Sequence, residues 1–236
     1  MQCAAQTGAR TAALVELYTS QGCSSCPPAE RWLSALGAAY PRERVVPLAL
    51  HVDYWDYIGW KDSYAKREFS LRQRKLSQLQ KLALVYTPQV LLQGRDFRGW
   101  GSAAFDAALA RINAQPAKAS VRLEILNLGP SIEVNATVEL SDLAQRHDAA
   151  LYLAAYESKL ETRVSAGENR GCRLAQDYVV LEWQGPFGFA GVPRLMERRS
   201  LPLLPQAVPA HSGVVAFVQN RRTTEVLQVL ALPACE

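Results

Sequence analysis

The stretch GCSSCPPAE, residues 22–30, sets Cys23 and Cys26 three positions apart and follows the second with two prolines. Two thiols at this spacing can close and reopen a disulfide, or hold a soft metal ion as a thiolate pair. The preceding ALVELYT, residues 13–19, reads as a buried strand, and PAERWLSALGAAY, from Pro28, reads as a helix with Trp32, Leu33 and Leu36 inward. The pair therefore stands where a strand turns into a helix. Unpaired N–H groups and the positive end of the helix dipole stabilise a thiolate there, making Cys23 the candidate nucleophile and Cys26 the resolving thiol. Proline is tolerated only in the first helical turn, so Pro27 puts the helix start near Cys26 and leaves Cys23 in the turn ahead of it.

Glu16 is a carboxylate in an otherwise apolar strand, seven residues before Cys23. Burial would raise its pKa toward neutrality and let it accept the proton of the resolving thiol. Thr87 and Pro88, in VYTPQVLL, precede another strand, where a cis peptide would present backbone groups to an extended substrate chain. HVDYWDYIGWKD brings His51, Asp53, Trp55, Asp56, Trp60 and Asp62 to the C-terminal edge of a strand, where open α/β sheets place their sites. One reading is an aromatic and acidic wall beside Cys23, with Asp53 and Trp55 contacting substrate. The other is a long loop whose tryptophans pack on the next helix while its aspartates cap it.

Strands and helices alternate in the first half: strand 13–19, the helix from Pro28, a strand over 45–55 interrupted or edged by Pro47, and a basic helix over 63–82. The strand PQVLLQG, a fourth around DFRGW and the helix GSAAFDAALARINAQ complete a β-α-β-α-β-β-α order. The basic helix carries KREFSLRQRKLSQLQK, with Phe69, Leu76 and Leu79 on the side expected to be buried; its charged face is either simply solvated or attracts anions and acidic partners. After QPAK, residues 115–118, seven short apolar or alternating runs separated by spacers such as SAGENRG and GPFGFAG indicate an antiparallel sandwich.

LVELYTSQGCSSC resembles the strand and active-site turn of thioredoxins and protein disulfide isomerases, with one extra residue between acid and cysteine, and YTPQV resembles their cis-proline loop. This resemblance implies a thioredoxin-like fold over about residues 10–115, with Cys23 as nucleophile, Cys26 as resolving cysteine, Glu16 as buried acid and Pro88 as cis-proline. Over nearly the whole chain, ELYTSQGCSSCPPAERWLS, HVDYWDYIGWKD, RQRK, VYTPQVLLQG and GEN at 167–169 resemble a bacterial family of secreted, thioredoxin-like proteins of unknown function. Cys172, Gln176 and Leu181 depart from that family's pattern.

Other chemistry is open to the same pair. Zinc would need two more ligands, and His51, His147 and His211 are scattered, whereas copper(I) can be held by Cys23 and Cys26 alone. An odd count of five cysteines means that one is free, intermolecular or lost in processing; a structural disulfide is expected between Cys3 and Cys235, near opposite ends of the chain that compact folds often bring together, with Cys172–Cys235 as the competing pair. A net charge of +4, with mostly dispersed basic residues, does not argue for nucleic acid. The longest apolar runs fall short of the roughly 20 residues a membrane span needs. MQCAAQTGAR shows neither a charged n-region nor an apolar h-region, so an export signal is expected to be absent or removed.

Together these features lead to the expectation of an α/β protein with a thioredoxin-like domain, residues 1–116, and an antiparallel β-sandwich domain, residues 117–236. The expected function is that of a periplasmic or secreted thiol–disulfide oxidoreductase acting on protein or small thiols, without cofactor, nucleic-acid partner or membrane span. The alternatives are a copper(I)-binding or delivery protein using the same cysteines and a non-enzymatic binding module. The second domain is expected to bind or orient a partner and to hold no catalytic constellation.

Overall fold

The computed structural model describes residues 3–234. Its first half contains β1 (Cys3–Gln6), β2 (Ala13–Thr19), α1 (Pro27–Ala39), β3 (Val45–His51), a 3-10 turn (Asp53–Ile58), α2 (Arg67–Leu79), β4 (Gln89–Leu92), β5 (Arg95–Asp96) and α3 (Ala103–Ala114). From β2 onward this is the element order read from the sequence. The second half contains β6 (Ala119–Leu128), β7 (Ser131–Leu140), β8 (Ala149–Glu157), β9 (Leu160–Arg163), β10 (Arg173–Gln176), β11 (Val179–Gly188), β12 (Arg194–Pro202), β13 (Ser212–Asn220) and β14 (Val226–Pro233). The fold is mixed α/β, with 42% strand against 22% helix, so sheets rather than helices organise the core.

Three first-half elements are shorter than their patterns indicate. β3 ends at His51 instead of residue 55, because Asp53 N–H donates to Ser70 Oγ at 3.1 Å and the Ser70 hydroxyl donates back to the Asp53 carboxylate, bending the chain toward α2. α2 spans 67–79 rather than 63–82, bounded by extended Lys66 and by Lys81 in the left-handed region, φ 57°. The strand around DFRGW reduces to Arg95–Asp96. On α2, Phe69 and Leu76 are buried as expected but Leu79 is exposed. At roughly 100° per residue, Leu79 lies about 80° from Phe69 and farther still from buried Gln73.

One sheet crosses the whole molecule in the order β14-β13-β8-β11-β3-β2-β4-β5, and a second runs β1-β6-β7-β12. The expected sandwich strands all form, but β8, β11, β13 and β14 join the sheet of the first half, while β1 from the chain start joins the opposing sheet. The seam is a parallel pairing of β3 with β11 through Ala49 and Val179, with Ala49 N–H donating to the Tyr178 carbonyl at 2.8 Å. This explains how Pro47 sits in a central strand. Its missing donor faces the same side as Ala49 N–H, two residues before β11 arrives to pair.

Between the two sheets, Val121, Leu123, Ile125, Val134 and Val138 meet Leu151, Leu153, Val214 and Val218. Strand alternation in β2 sends Ala13, Val15 and Leu17 toward α1 and α3, and Leu14 and Tyr18 toward α2 and the second-half aromatics. Glu16 shares the second face. There Arg72 of α2 donates through Nε to Glu16 Oε1 at 2.8 Å and through Nη2 to Gln219 Oε1 at 2.9 Å, with its guanidinium 4.8–5.3 Å from the Tyr152, Trp183 and Phe217 ring centres. This one side chain ties α2, β2, β8, β11 and β13 together. Arg72→Ala would leave the Glu16 carboxylate buried without its counter-ion, with the Tyr18 hydroxyl at 3.3 Å as its remaining partner, and is expected to cost about 3–5 kcal/mol in equilibrium urea unfolding; a loss below about 1 kcal/mol, the range of a surface pair, would contradict this role.

Candidate functional site

Cys23 and Cys26 are joined by a disulfide, with α-carbons 5.4 Å apart. Cys26 is the N-cap of α1, and Pro27 and Pro28 fill its first positions, where missing N–H groups cost nothing. Ahead of the helix, Cys23 N–H donates to the Ser20 carbonyl at 3.1 Å and Cys26 N–H to the Cys23 carbonyl at 3.2 Å. The Cys26 carbonyl in turn accepts from Ala29 and Glu30 N–H. Ser24 and Ser25 are exposed at the tip, yet both cysteines are 0% exposed.

A segment from the second half covers the turn. β9 and β10 form a two-stranded hairpin, and its connection contains GEN at residues 167–169. The Asn169 side-chain amide donates to the carbonyls of Gln21 at 2.8 Å and Cys23 at 3.0 Å. Glu168 Oε2 accepts from the backbone N–H and the hydroxyl of Ser24, at 3.1 and 2.7 Å, and these bonds lower the pKa of its carboxyl. Gly167, at φ +72°, lies so close to Ile58 and Trp60 that a β-carbon would stand 3.2–3.3 Å from both side chains. Gln21 bonds to the hairpin as well, donating from Nε2 to Thr162 Oγ1 at 3.0 Å and Gln176 Oε1 at 3.1 Å.

Beside the turn lies a buried titratable network. His51, at the end of β3, donates from Nδ1 to Asp62 Oδ2 at 2.6 Å, and the same oxygen accepts Gln21 N–H at 2.8 Å. Glu30, one helical turn after Cys26, accepts the Thr19 hydroxyl at 2.7 Å. Burial pushes the Glu30 carboxyl above its ordinary range, only partly offset by His51 and by bonds from Thr19 and Gln176. Burial opposes the charge on His51, but Asp62 and Glu30 outweigh it and raise the imidazole pKa. Asp62 also loses solvation, yet His51 and three hydrogen bonds to the carboxylate hold its pKa low. Gln176 of β10 reaches this network, its Nε2 being 3.4 Å from His51 Nε2. The second half of the chain, expected to hold no catalytic constellation, thus contributes to the walls of this site.

The residues singled out from the sequence are partly gathered here. The Thr87–Pro88 peptide is cis, and it follows directly from the register Tyr18↔Gln89 that Pro88 lies alongside Thr19, where β2 enters the cysteine turn. Trp55 donates through Nε1 to Thr87 Oγ1 at 2.7 Å, which joins the HVDYWD edge to this loop. Asp53 bonds to Ser70 of α2. Glu16 is held by Arg72 on the sheet face away from α1, whereas Glu30 stands on the helix that starts at Cys26. Cys3 Sγ lies 3.9 Å from the Pro233 carbonyl, so the two ends of the described chain meet; Cys235 lies outside the described residues. Cys172 is a free, exposed thiol in the hairpin connection. Among the described residues, no group of three or more His, Cys, Asp or Glu side chains is arranged to hold a metal ion.

Comparison with known proteins bears on the fold. The family described as "Protein of unknown function (DUF1223)" matches residues 14–219. No curated protein matches the chain. A crystal structure of protein AGR_C_4864 from Agrobacterium tumefaciens is similar with a TM-score of 0.69 at 24% identity, covering 96% of each chain. HBP35 of Porphyromonas gingivalis is similar with a TM-score of 0.69 at 17% identity, covering 96% of this chain and 76% of that one.

The His51–Asp62 pair makes stability depend on pH with a definite sign. Because the folded pKa of His51 is raised, its contribution is complete below the ordinary value of about 6.5 and is lost as pH climbs through the raised value. The thermal midpoint is expected to fall over that alkaline limb. Asp62→Asn should flatten the limb and cost about 3–5 kcal/mol near pH 6, where it leaves the imidazolium unpaired. A limb of unchanged slope in the variant would show that another group sets it.

Proposed function

The chain belongs to the DUF1223 family of proteins of unknown function, and from that premise we propose that it is an exported thiol–disulfide oxidoreductase built on a thioredoxin-like first half. The observation that carries this reading is the Cys-x-x-Cys disulfide at the N-cap of α1, with a buried carboxyl of raised pKa one turn further along the same helix. A disulfide also favours an oxidising compartment, which supports a periplasmic or secreted location.

In the proposed exchange a substrate thiolate attacks Cys23 Sγ and the Cys23–Cys26 bond breaks. Cys26 departs with the electron pair and takes a proton from the Glu30 carboxyl. A second substrate thiolate then attacks the mixed disulfide and releases Cys23 as a thiolate. One disulfide and two thiols become two thiols and one disulfide. In reverse, Glu30 accepts the proton of Cys26. Glu30 takes the part expected of Glu16, whose carboxylate is committed to Arg72. Thr87, Pro88, Asp53 and Trp55 form the flank along which the substrate chain lies.

Burial of both sulfurs favours a second reading, a structural disulfide that staples the turn. The oxidoreductase reading answers it with local opening. The hairpin is a separate two-stranded sheet that meets the turn through the exposed Glu168–Ser24 contact and the buried Asn169 bonds, and exchange requires that this small unit lift without global unfolding.

The two readings separate on mixing the protein with a dithiol or a glutathione-linked fluorogenic disulfide. In a Cys172→Ser background, which removes the exposed free thiol, Cys26→Ser is expected to accumulate a mixed disulfide on Cys23, located by peptide mass mapping, and Cys23→Ser to form none. Glu30→Gln should slow exchange by about 10²-fold and remove the pH dependence that the Glu30 carboxyl sets above the ordinary carboxylate range. A native protein that neither exchanges nor forms the adduct in either variant is a stapled turn, and the oxidoreductase reading is then wrong.

A further inference from the structure

The exposed side of α2 carries a feature that the exchange chemistry leaves unused. Arg67, Leu71, Arg74, Lys75 and Gln78 recur at helical spacing on the face opposite buried Phe69, Gln73 and Leu76. None of Arg67, Arg74, Lys75 and Lys81 forms an ion pair among the described residues, although Lys66 and Arg72 beside them do. Leu71 and Leu79 stand exposed between these cations, and Leu84, 70% exposed, and Val85 continue the strip beyond the helix. Tyr57, 82% exposed, lies on the neighbouring 3-10 turn. Of the nine large apolar side chains exposed among the described residues, these are five. Scattered single exposures need no explanation, but a concentration alternating with unpaired cations is what a recognition surface looks like.

The strip also leads to the cysteine site. Residues 81–85 run into Tyr86 and the Thr87–Pro88 loop, which Trp55 bonds and which lies beside the end of β2. The 3-10 turn is tied to α2 through Tyr54, whose hydroxyl donates to Gln73 and whose ring lies 5.8 Å from the Arg74 guanidinium.

We propose that the exposed face of α2, together with residues 81–85, is the docking surface for a polypeptide substrate rich in carboxylates and large apolar side chains. This surface would lay a substrate cysteine toward Cys23. The inference rests on the oxidoreductase reading for its purpose, and on charge and apolar complementarity for its chemistry. Acidic side chains meet the four unpaired cations, and apolar ones cover Leu71, Leu79, Leu84 and Val85. Attraction between opposite charges steers the encounter and weakens with salt, while the apolar contacts hold the bound chain. An anionic membrane would satisfy the same cations, but the strip's continuity with the loop beside the cysteine turn favours a chain that reaches the disulfide.

The test uses the full-length oxidised protein and a fluorescein-labelled peptide of alternating Glu and Leu, with serine in place of any cysteine, so that binding is read without redox turnover. By fluorescence anisotropy it is expected to bind at least tenfold more tightly than the same peptide with Lys for Glu, and more weakly as salt rises. Lys75→Glu/Lys81→Glu and Leu84→Ser/Val85→Ser should each weaken binding by tenfold or more while circular dichroism and the melting midpoint stay unchanged. Equal binding of both peptides, or indifference to both variants, would overturn the proposal. So would co-sedimentation with phosphatidylglycerol vesicles, abolished by Lys75→Glu/Lys81→Glu, in a protein that ignores the peptide. Thiol exchange without peptide binding overturns the docking surface alone, whereas peptide binding without exchange upholds the surface and removes the oxidoreductase reading.

Discussion

The Asn169 side chain donates to the carbonyl oxygens of Gln21 and Cys23, and those two bonds explain why the cysteine turn can exist as a buried object. The Cys23 carbonyl also accepts Cys26 N–H, but the Gln21 carbonyl accepts no backbone N–H among the described residues, and burying it unpaired would cost about as much as a lost hydrogen bond. Asn169 supplies the donors from 146 residues away in the chain. Neighbouring groups consolidate the closure: Glu168 accepts from Ser24, Gly167 fits against Ile58 and Trp60, and Gln21 bonds across to Thr162 and Gln176. The hairpin can stand there because β8 and β11, which flank it in sequence, pair with each other in the long sheet, and β11 pairs with β3. The shared sheet thus aligns a loop of the second half over a turn of the first.

Closure also shapes the chemistry. Excluding water from the turn leaves Glu30, His51 and Asp62 to interact through protein rather than solvent, and their pKa values move apart accordingly. Glu30 is biased toward its neutral acid and Asp62 toward its carboxylate. Two carboxyl groups of one buried cluster are thus shifted in opposite directions, Glu30 up and Asp62 down. The Asp62 carboxylate is also structural, since it holds Gln21 N–H two residues ahead of Cys23.

Local features of this site were legible because their causes are local. Pro27 cannot lie deep in a helix, so it marked the N-cap at Cys26, and alternating apolar runs gave the β-α-β-α-β-β-α order. The Thr87–Pro88 loop, Trp55 and the HVDYWD edge meet, as their positions at strand ends implied. What stayed hidden depends on pairing between distant residues. Glu16 and Glu30 are both acids close to the cysteines in sequence, and only the direction of the β2 side chains and the presence of Arg72 decide which one stands on the α1 side. The GEN tripeptide stood out only by resemblance, because nothing in its composition says that Asn169 caps a turn so far away. Sharing of one sheet between the halves is likewise invisible to periodicity, which reports that β11 and β3 are strands but not that they are neighbours.

Exchange at Cys23 therefore depends on whether the buried disulfide is reached by local lifting of the β9–β10 hairpin. The direct measurement is the rate at which a small dithiol reduces the oxidised protein across a series of urea concentrations below the unfolding transition, set against the global unfolding rate. Local opening predicts reduction faster than unfolding, with a urea dependence well below the full m-value because little surface is exposed. Reduction that matches the global unfolding rate and carries its full urea dependence would contradict the account and make Cys23–Cys26 a staple.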